Sequence, residues 1–375
     1  MSNRAHHASG PFRIAVLPGD GIGPEIVAPA LDVLRAVESR VGTARFEFQE
    51  FSVGAGEYLR SGDPLPAAVF EQLKSFDAIL LGAMGLPGVR WPDGVEMTPQ
   101  LDLRERLDLY CGLRPIYLYH PADSPLSGKA AGSIDFLLVR ESTEGLFFSR
   151  RDRLSPGAAY AEDRMRITRA GAERVIRAAF YEARRRRGQL TLVDKANVLP
   201  SMAFFRSVFD DVATEFPDIK TDHIYVDAAA LYLVQRPESF DVLVTENMFG
   251  DILSDLAAGL VGGMGMAPSA DLGEQYAVFQ PSHGSAPDIA GKGIANPVAT
   301  ILSAAMMLEW FDTTETKAGA QMIHGAVRSV LADPAARTRD LRGRLTTREM
   351  SGLILSALPA SAPKSNPHEI GIPHF

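Results

Sequence analysis

Short apolar runs alternate with helix-like segments along most of this 375-residue chain, and this alternation limits the folds open to it. The strand-like runs are RIAVL, FEFQEF, AILLGA, DFLLVR, LTLVDKA and DVLVTEN. The helix-like segments between them are 24–37, 168–187, 202–216 and 247–260. After Ala299 the pattern is helical, with an interruption at Asp333-Pro334. Such alternation favours an α/β fold around a largely parallel sheet.

Composition excludes several classes of protein. A net charge of -8 gives no diffuse attraction to nucleic acid or to acidic membranes. No apolar run reaches the roughly 18 residues of a membrane span, and no signal peptide is visible, so we expect a cytoplasmic protein with no membrane or nucleic-acid partner. The single cysteine, Cys111, lies in the apolar run LYCGL. We expect it to be a buried side chain and not a nucleophile.

One basic run, Arg184 to Arg187, is concentrated enough to suggest a nucleic-acid patch. It closes a helix-like segment directly before Gly188, where basic side chains complement the negative end of the helix dipole. We therefore expect these arginines to face water at the end of a helix.

The segment LPGDGIGPE, Leu17 to Glu25, looks like a nucleotide-binding loop. Its glycines are spaced G-x-G-x-G, whereas the dinucleotide fingerprint is G-x-G-x-x-G with an acid about 20 residues later. Pro24 and Glu25 then open a helix, with Glu at its positive end. We interpret the segment as a strand-to-helix turn that lines a cleft, and not as a phosphate cradle.

Two aspartates in ENMFGDILSDLAAG, Asp251 and Asp255, lie one turn apart on one helix face. A solvated face can carry them, but their mutual repulsion would also be relieved by a hard cation such as Mg²⁺ or Mn²⁺. Asp227, in YVDAAALYLV, is a third acid that needs a partner if buried. Lys195 and Asn197, in LVDKANVL, follow an apolar strand, where a lysine either extends to solvent or lies in a cleft.

Three arginines lie near predicted strand ends. Arg104 and Arg114 belong to LDLRERLDLYCGLRP, and Arg140 belongs to LLVRESTEG. Each alone is most often a surface ion pair. Together they suit a small acid with more than one carboxylate, because guanidinium binds carboxylate bidentately. Their spacing by itself does not show that they converge.

Seven segments in this order resemble the isocitrate and isopropylmalate dehydrogenase family, the metal-dependent β-decarboxylating dehydrogenases. They are LPGDGIGPE, LRERLDLYCGLRP, VREST, DKANVL, VDAAALYLV, NMFGDILSDL and HGSAPDIAGKGIANP. The resemblance implies an α/β, isopropylmalate dehydrogenase-like two-domain fold with a large mixed, mostly parallel sheet flanked by helices, and not a Rossmann fold. Residues 11–110 plus 262–375 would form a large NAD-binding domain. Residues 111–261 would form a smaller inserted domain with the metal ligands, the general base and the dimer contacts.

The resemblance also implies a reaction, the oxidation of a 2-hydroxy acid at C2 by a nicotinamide cofactor followed by loss of the β-carboxylate. A bound Mg²⁺ or Mn²⁺ would polarise the C2 oxygen and stabilise the enolate. Lys195 would be the general base on the C2 hydroxyl. Asp227 would contact both cation and substrate and take part in catalysis. In the family, this lysine and this aspartate come from the neighbouring subunit, so we expect a homodimer.

The remaining roles are carried over position by position. Asp251 and Asp255 would complete the set of cation ligands. The substrate would be held by Arg104, Arg114 and Arg140, with Thr98 and Gln100 in the pocket wall. In HGSAPDIAGKGIAN, Asp288 falls where NAD-using members have an acid that accepts the ribose hydroxyls and repels a 2′-phosphate, which favours NAD over NADP. NAD would be bound by Gly82, Ala83, Met84, Gly85, Asn197, His283, Gly284, Ser285, Ala286, Asp288 and Asn296.

The chain departs from the family at the proton donor and at the nicotinamide end of the site. Phe147 stands where catalytic members carry a tyrosine that protonates the enolate carbon, and it has no proton to give. Gln280 and Ser282 stand where the family usually shows Glu and an apolar residue or Thr.

The pocket wall departs as well. Gln100 replaces a leucine that receives the isopropyl group in isopropylmalate enzymes, and Met97 lies near the position of a family glutamate. We expect an NAD- and metal-dependent oxidative decarboxylase of a 3-substituted malate, with 3-isopropylmalate as the first candidate. The alternatives are a decarboxylating tartrate or D-malate dehydrogenase and a non-catalytic regulatory subunit. Retention of Lys195 and of all three metal aspartates argues against the last.

Overall fold

The computed structural model describes residues 10–153 and 157–361, so the last part of the predicted large domain, 362–375, lies outside the described residues. The strands are β1 (Phe12–Gly19), β2 (Phe46–Glu50), β3 (Ala78–Ala83), β4 (Cys111–Tyr117), β5 (Asp135–Glu141), β6 (Gln189–Asp194), β7 (Lys220–Tyr225), β8 (Val242–Thr245), β9 (Pro268–Leu272) and β10 (Ala277–Pro281). The α-helices are α1 (Gly23–Glu38), α2 (Ala55–Ser61), α3 (Ala67–Leu73), α4 (Pro99–Arg106), α5 (Arg169–Arg185), α6 (Pro200–Ala213), α7 (Val226–Gln235), α8 (Asn247–Gly259), α9 (Val298–Trp310), α10 (Thr314–Leu331) and α11 (Thr347–Ala357).

All these strands join one sheet in the order β2-β1-β3-β10-β9-β4-β5-β8-β6-β7. The pairs β10–β9, β9–β4 and β4–β5 are antiparallel, and the other neighbouring pairs are parallel. The expected α/β class with a mixed, mostly parallel sheet is therefore confirmed. One half of the sheet holds β1–β3 with β9 and β10, and the other half holds β4–β8, so the chain leaves the first half after α4 and returns to it at β9.

The six predicted strands and four predicted helices are all present, with ends that differ by a few residues. Four strands were not predicted: β4, β7, β9 and β10. Strand β7 lies at the exposed edge of the sheet and is mostly polar, so it lacks the apolar signal of a buried strand. Strand β9, PSADL, is fully buried but contains Asp271, whose charge is tolerated only because partners from distant segments surround it.

Helices cover both faces of the sheet because successive residues of each strand point to opposite sides. Ile14 and Val16 of β1 pack in a core with the helices α1, α9 and α10, whereas Ala15 and Leu17 pack with α3 and α4. In the other half, the first face is covered by α5 and α6 and the second by α7 and α8. This layered arrangement leaves the carboxyl ends of several parallel strands free to line a cleft.

The basic run at the end of α5 agrees with the prediction at Arg184, Arg185 and Arg187, which are exposed, and differs from it at Arg186. Arg186 is buried and forms ion pairs with Asp135 at 2.6 Å and Asp241 at 3.0 Å, so the expectation that it faces water is wrong. Arg184 pairs with Asp218 on the surface at 2.5 Å. These ion pairs connect the end of α5 to neighbouring elements. The aspartate partners lie far away in sequence, so the local pattern around the arginines does not predict them.

Cys111 is buried at the start of β4, as expected. Burial raises the pKa of its thiol above the ordinary value, which leaves it unreactive. Among the described residues, no helix combines the length and the apolar character that a membrane crossing requires.

Candidate active site

A cleft of about 380 Å³ lies between the two halves of the sheet. It brings together three of the predicted groups of residues. The arginines in its lining are Arg104, Arg114 and Arg140, the carboxylates are Asp251 and Asp255, and the predicted cofactor residues are Gly82, Ala83, Met84, His283 and Gly284. The convergence that the spacing of the arginines could not establish is therefore present in the structure.

Arg104 and Arg114 meet on one carboxylate, Asp271. Arg104 donates from Nε to Asp271 Oδ2 at 3.0 Å, and Arg114 donates from Nη2 to Oδ1 at 3.0 Å. The side chain of Asp271 is fully buried. Burial opposes its charged form, but the two arginines hold the pKa of this carboxyl well below its ordinary value. Two cations and one anion leave this part of the cleft with a net positive charge.

Arg140, at the end of β5, is fixed by the first residue of α8. Asn247 Oδ1 accepts from Arg140 Nε at 3.0 Å and from Nη2 at 2.7 Å, and Nη1 pairs with Asp251. The ring centroid of Phe147 lies 5.4 Å from the guanidinium carbon. Burial, and then the charge of Arg104, lower the pKa of Arg140 to about 10. A cation in such surroundings favours the entry of an anion.

Asp251 and Asp255 lie on the face of α8 that lines the cleft. Burial, and then the charge of Asp251, raise the pKa of Asp255 above its ordinary value. Two carboxylates one turn apart fit two positions around an oxygen-liganded divalent cation. No group of three or more His, Cys, Asp or Glu side chains in the described part of the chain is arranged to hold a metal ion.

Lys195 and Asp227 form a separate pair that does not line the cleft. Lys195 Nζ donates to Asp227 Oδ1 at 2.6 Å, and the Asp227 side chain is 68% exposed. The bond from Lys195 holds the pKa of Asp227 below its ordinary value. Asn197 is exposed beside them. One copy of the chain thus presents this pair outward, away from its own arginines.

The glycine-rich turn 17–25 packs against two loops of the cleft. Its backbone amides are used within the protein: Asp20 N donates to Ala83 O at 2.7 Å, and Ile22 N donates to Ser285 O at 2.8 Å. Gly21 has a φ of +57°, and a Cβ there would lie 2.0 Å from Ser285 O. Glycine is required for this close approach and not for contact with a phosphate. The interpretation as a strand-to-helix turn is confirmed. The expectation that this turn lines the cleft is wrong, because none of its residues belongs to the lining and it supports two loops of the cleft instead.

Asp20 within this turn holds the neighbouring loops in place. Its buried carboxylate accepts hydrogen bonds from the backbone amides of Ala55, Gly56 and Gly85, each at 2.8 Å. The hydroxyl of Ser285 donates to the carbonyl of Gly85 from the other side. Two loops that are far apart in sequence, both predicted to bind NAD, are therefore joined directly.

The predicted adenosine loop, 283–296, is anchored at its far end by Glu25. The Glu25 carboxylate accepts from Gly293 N at 3.3 Å, Ala295 N at 2.9 Å and Thr347 Oγ1 at 2.7 Å. Asn296 is buried and donates to Asp340 Oδ2 at 3.0 Å. This loop therefore has a fixed backbone.

Four other predicted cofactor residues lie within the loop: His283, Gly284, Ala286 and Asp288. His283 Nδ1 lies 2.9 Å from Gly284 O, and burial lowers the pKa of this imidazole. Asp288 is exposed, and Ala286, two residues before it, has a φ of +37°.

Of the two polar residues predicted in the pocket wall, Gln100 lines the cleft and Thr98 does not. Gln100 lines the cleft, and its buried Oε1 has no hydrogen-bond partner among the described residues. Thr98 is not part of the lining, and its hydroxyl accepts from Arg150 Nη1 at 3.4 Å. Met97 is buried. Gln100 is therefore the polar residue of this wall that faces the cleft.

Two residues that support the site were not predicted from the sequence. Asp271 orients two arginines, and Asn247 orients the third. An acid inside a buried strand must be paired, which is a usable signal for Asp271 only once β9 is recognised as a strand. Asn247 stands in the motif NMFGDILSDL but carries no charge that would mark it.

Comparison with known proteins agrees with the geometry. Residues 13–354 match the family described as isocitrate/isopropylmalate dehydrogenase. The chain is 48% identical over 340 residues to 3-isopropylmalate dehydrogenase from Moorella thermoacetica, which covers 88% of this chain and 93% of the relative. It is 47% identical over 339 residues to 3-isopropylmalate dehydrogenase from Bacillus subtilis, with coverages of 88% and 91%. The crystal structure of isocitrate dehydrogenase from Methylococcus capsulatus superposes with a TM-score of 0.83 at 37% identity, over 92% of this chain and 99% of that one. The chain therefore belongs to the isocitrate/isopropylmalate dehydrogenase family.

Proposed function

We propose that this protein is an NAD- and divalent-cation-dependent dehydrogenase that oxidises a 3-substituted malate at C2 and releases its β-carboxylate as CO₂. The observation that carries the proposal is the convergence of Arg104, Arg114 and Arg140 with two aspartates in one cleft. The leading substrate is 3-isopropylmalate, because relatives of that activity are nearly half identical over most of the chain.

The arginines act on the substrate's two carboxylates. Arg140 and Arg114 are buried and held from behind, so they bind an anion without losing the freedom of a surface side chain. Asp251 and Asp255, with Asp227 of a second copy, would hold Mg²⁺ or Mn²⁺. The cation supplies Lewis acidity at the C2 oxygen when bound.

Proton transfer belongs to Lys195 of the second copy. Its Nζ would remove the proton of the C2 hydroxyl, and bound NAD would supply the hydride acceptor. The C–C bond to the β-carboxylate would then break with release of CO₂. Asp227, which holds Nζ at 2.6 Å, orients the amine. Phe147 has no proton for the resulting enolate carbon, so water is the donor at that position.

The two joined loops would hold NAD. Asp288 would accept the adenosine ribose hydroxyls, and residues 82–85 would contact the nicotinamide end. The fixed contacts of Asp20, Ser285 and Glu25 support this assignment, because they preorganise both loops before NAD binds.

The proposed assembly is a homodimer that shares its sites. Large apolar side chains are exposed on α7 and α8, including Leu231 at 51% and Ile252 at 59%, on the elements that carry Asp227 and Asp251. A second copy packed on this surface brings its Lys195 and Asp227 to the cleft. The division into a domain of 11–110 plus 262–375 and an inserted domain of 111–261 is part of this proposal, and the two halves of the sheet support it.

A complementation assay tests the shared site. Lys195→Ala and Arg140→Ala homodimers should both be inactive. A mixture refolded together should recover about a quarter of wild-type activity, since half of the dimers are mixed and each mixed dimer has one intact site. No recovery would contradict a shared site.

The reaction is tested by NADH formation with Mn²⁺ and a panel of hydroxy acids: 3-isopropylmalate, D-malate, tartrate, isocitrate and homoisocitrate. Turnover of at least one is expected. No turnover of any, with NAD binding intact, would instead indicate a non-catalytic regulatory subunit.

One observation favours a second candidate, a decarboxylating tartrate or D-malate dehydrogenase. The unpartnered Oε1 of Gln100 suits a C3 hydroxyl better than an isopropyl group. Gln100→Leu separates the candidates. It should raise kcat/KM for 3-isopropylmalate relative to tartrate, with Thr98→Val as a control at a polar residue of the same wall that does not line the cleft. An unchanged ratio would remove Gln100 from the argument.

A further inference from the structure

The carboxylate of Asp271 lies behind the arginines of the cleft and is not itself in the cleft lining. It is fully buried and receives Arg104 on one oxygen and Arg114 on the other, each at 3.0 Å. Arg104 lies 167 residues before Asp271 in the sequence, and Arg114 lies 157 residues before it. One side chain therefore sets the orientation of two arginines that belong to different elements.

Each arginine uses only part of its guanidinium on Asp271. Among the described residues, Arg104 donates through Nε, which leaves its two terminal nitrogens for a ligand. Arg114 donates to Asp271 through Nη2 and to the carbonyls of Leu113 and Ala270 through Nη1. Contacts from behind therefore fix both guanidinium planes beside the cleft, which is what bidentate recognition of a carboxylate requires.

Gln280 completes the arrangement and makes it chemically specific. Its amide donates to Asp271 Oδ2 at 2.7 Å, the same oxygen that accepts from Arg104. A glutamate at position 280, the residue that the family usually shows, would place a second carboxylate at this distance in a buried site with no hydrogen to donate. The residues at 271 and 280 are therefore coupled as one carboxylate and one amide.

We propose that Asp271 is a positioning residue for substrate binding, which fixes Arg104 and Arg114 to receive the substrate carboxylates, and that Gln280 is its required neutral partner. Naming a hydroxy acid as the ligand rests on the proposed function. The geometry itself predicts the same dependence for any small dianion.

The experiment is a double-mutant cycle read by calorimetric binding without NAD. The probes are 3-isopropylmalate and D-malate with Mn²⁺, and inorganic phosphate alone. Asp271→Asn can accept from only one arginine, and Gln280→Glu adds a second carboxylate. Each should raise the Kd of all probes that the wild type binds by about tenfold or more. Asp271→Asn with Gln280→Glu restores one carboxylate beside one amide but still leaves one arginine without its acceptor, so it should bind more tightly than Gln280→Glu and less tightly than wild type.

Asp241→Asn is the control, because Asp241 forms a buried pair with Arg186 away from the cleft. It should lower stability and leave every Kd unchanged, which separates positioning from a general loss of packing. Wild-type Kd values in either single variant, or a double variant that binds no better than Gln280→Glu, would overturn the proposal. If Asp271→Asn does not fold, Gln280→Glu and the double variant decide between these outcomes.

The phosphate series distinguishes this proposal from the proposed function. If the wild type binds phosphate but neither hydroxy acid, the proposed function fails, and the positioning role still stands or falls on the phosphate Kd values. If the wild type binds no dianion at all, the positioning role is overturned as well.

Discussion

Asp20→Asn is the change whose cost follows most directly from the structure. The Asp20 carboxylate accepts three backbone hydrogen bonds at 2.8 Å, with Ala55 N and Gly85 N on Oδ2 and Gly56 N on Oδ1. An asparagine keeps one acceptor oxygen, so at least one bond is lost and an amide faces a backbone N–H. Hydrogen bonds to a charged group contribute about 1.5–3 kcal/mol and neutral ones about 1 kcal/mol. One lost bond and two weakened bonds therefore cost about 4 kcal/mol.

The assay is urea unfolding at neutral pH, with NAD affinity measured on the folded variant. Asp63→Asn is the matched control: this exposed carboxylate accepts a backbone hydrogen bond from Leu65 N at 2.9 Å, and its loss should cost less than about 1 kcal/mol. The variant at Asp20 should also bind NAD more weakly, because Gly85 loses its anchor. A loss of stability no larger than that of the control would refute the reasoning.

Three further predictions concern the chemistry and the pH response. Phe147→Tyr should raise kcat for NADH formation about tenfold or more if protonation of the enolate carbon limits the reaction, and an unchanged kcat would show that it does not. Asp255→Asn removes one of two cleft carboxylates and should weaken Mn²⁺ binding, measured by calorimetry, by at least about tenfold, whereas unaltered binding would exclude Asp255 as a ligand. Burial pushes the pKa of Glu25 upward, but the bonds from Thr347, Ala295 and Gly293 together hold it below its ordinary value. The stabilisation from Glu25 is therefore present above pH 4.5 and lost as the pH falls through the lowered pKa, so Glu25→Gln should lower the free energy of unfolding at neutral pH and reduce its fall below pH 4.5.

The sequence predicts the elements of this fold best where a strand is buried and uninterrupted. AILLGA coincides with β3, and all its residues are buried. The pattern fails at β9, because Asp271 is acceptable in a buried strand only with Arg104 and Arg114 beside it, and no local window contains those partners. The same limit explains Arg186, whose aspartate partners lie 51 and 55 residues away.

For the site, the sequence motifs identified candidate residues, and the fold determined which of these residues lie close together. Arg104, Arg114 and Arg140 were recognised as candidates one by one, and only the three-dimensional arrangement brings them into one cleft. Asp227 was grouped with Asp251 and Asp255 as a cation ligand on the basis of the resemblance. A single chain keeps Asp227 outside the cleft, so its proposed role depends on a second copy.

The pairing of β3 with β10 also bears on the order in which the chain folds during synthesis. Strands β4–β8 occupy residues 111–245 without interruption, whereas β3 ends at Ala83 and its neighbour β10 begins at Ala277. At ribosomal rates, the roughly 200 intervening residues take about 10–40 s to appear. Throughout that interval the edge of β3 and the apolar face of α1 lack their final partners, and such exposed apolar surface and unpaired strand edges favour aggregation. We expect nascent chains that end near residue 260 to resist proteolysis within 111–245 and to be cut within 12–83, and equal protection of both segments would argue against this order.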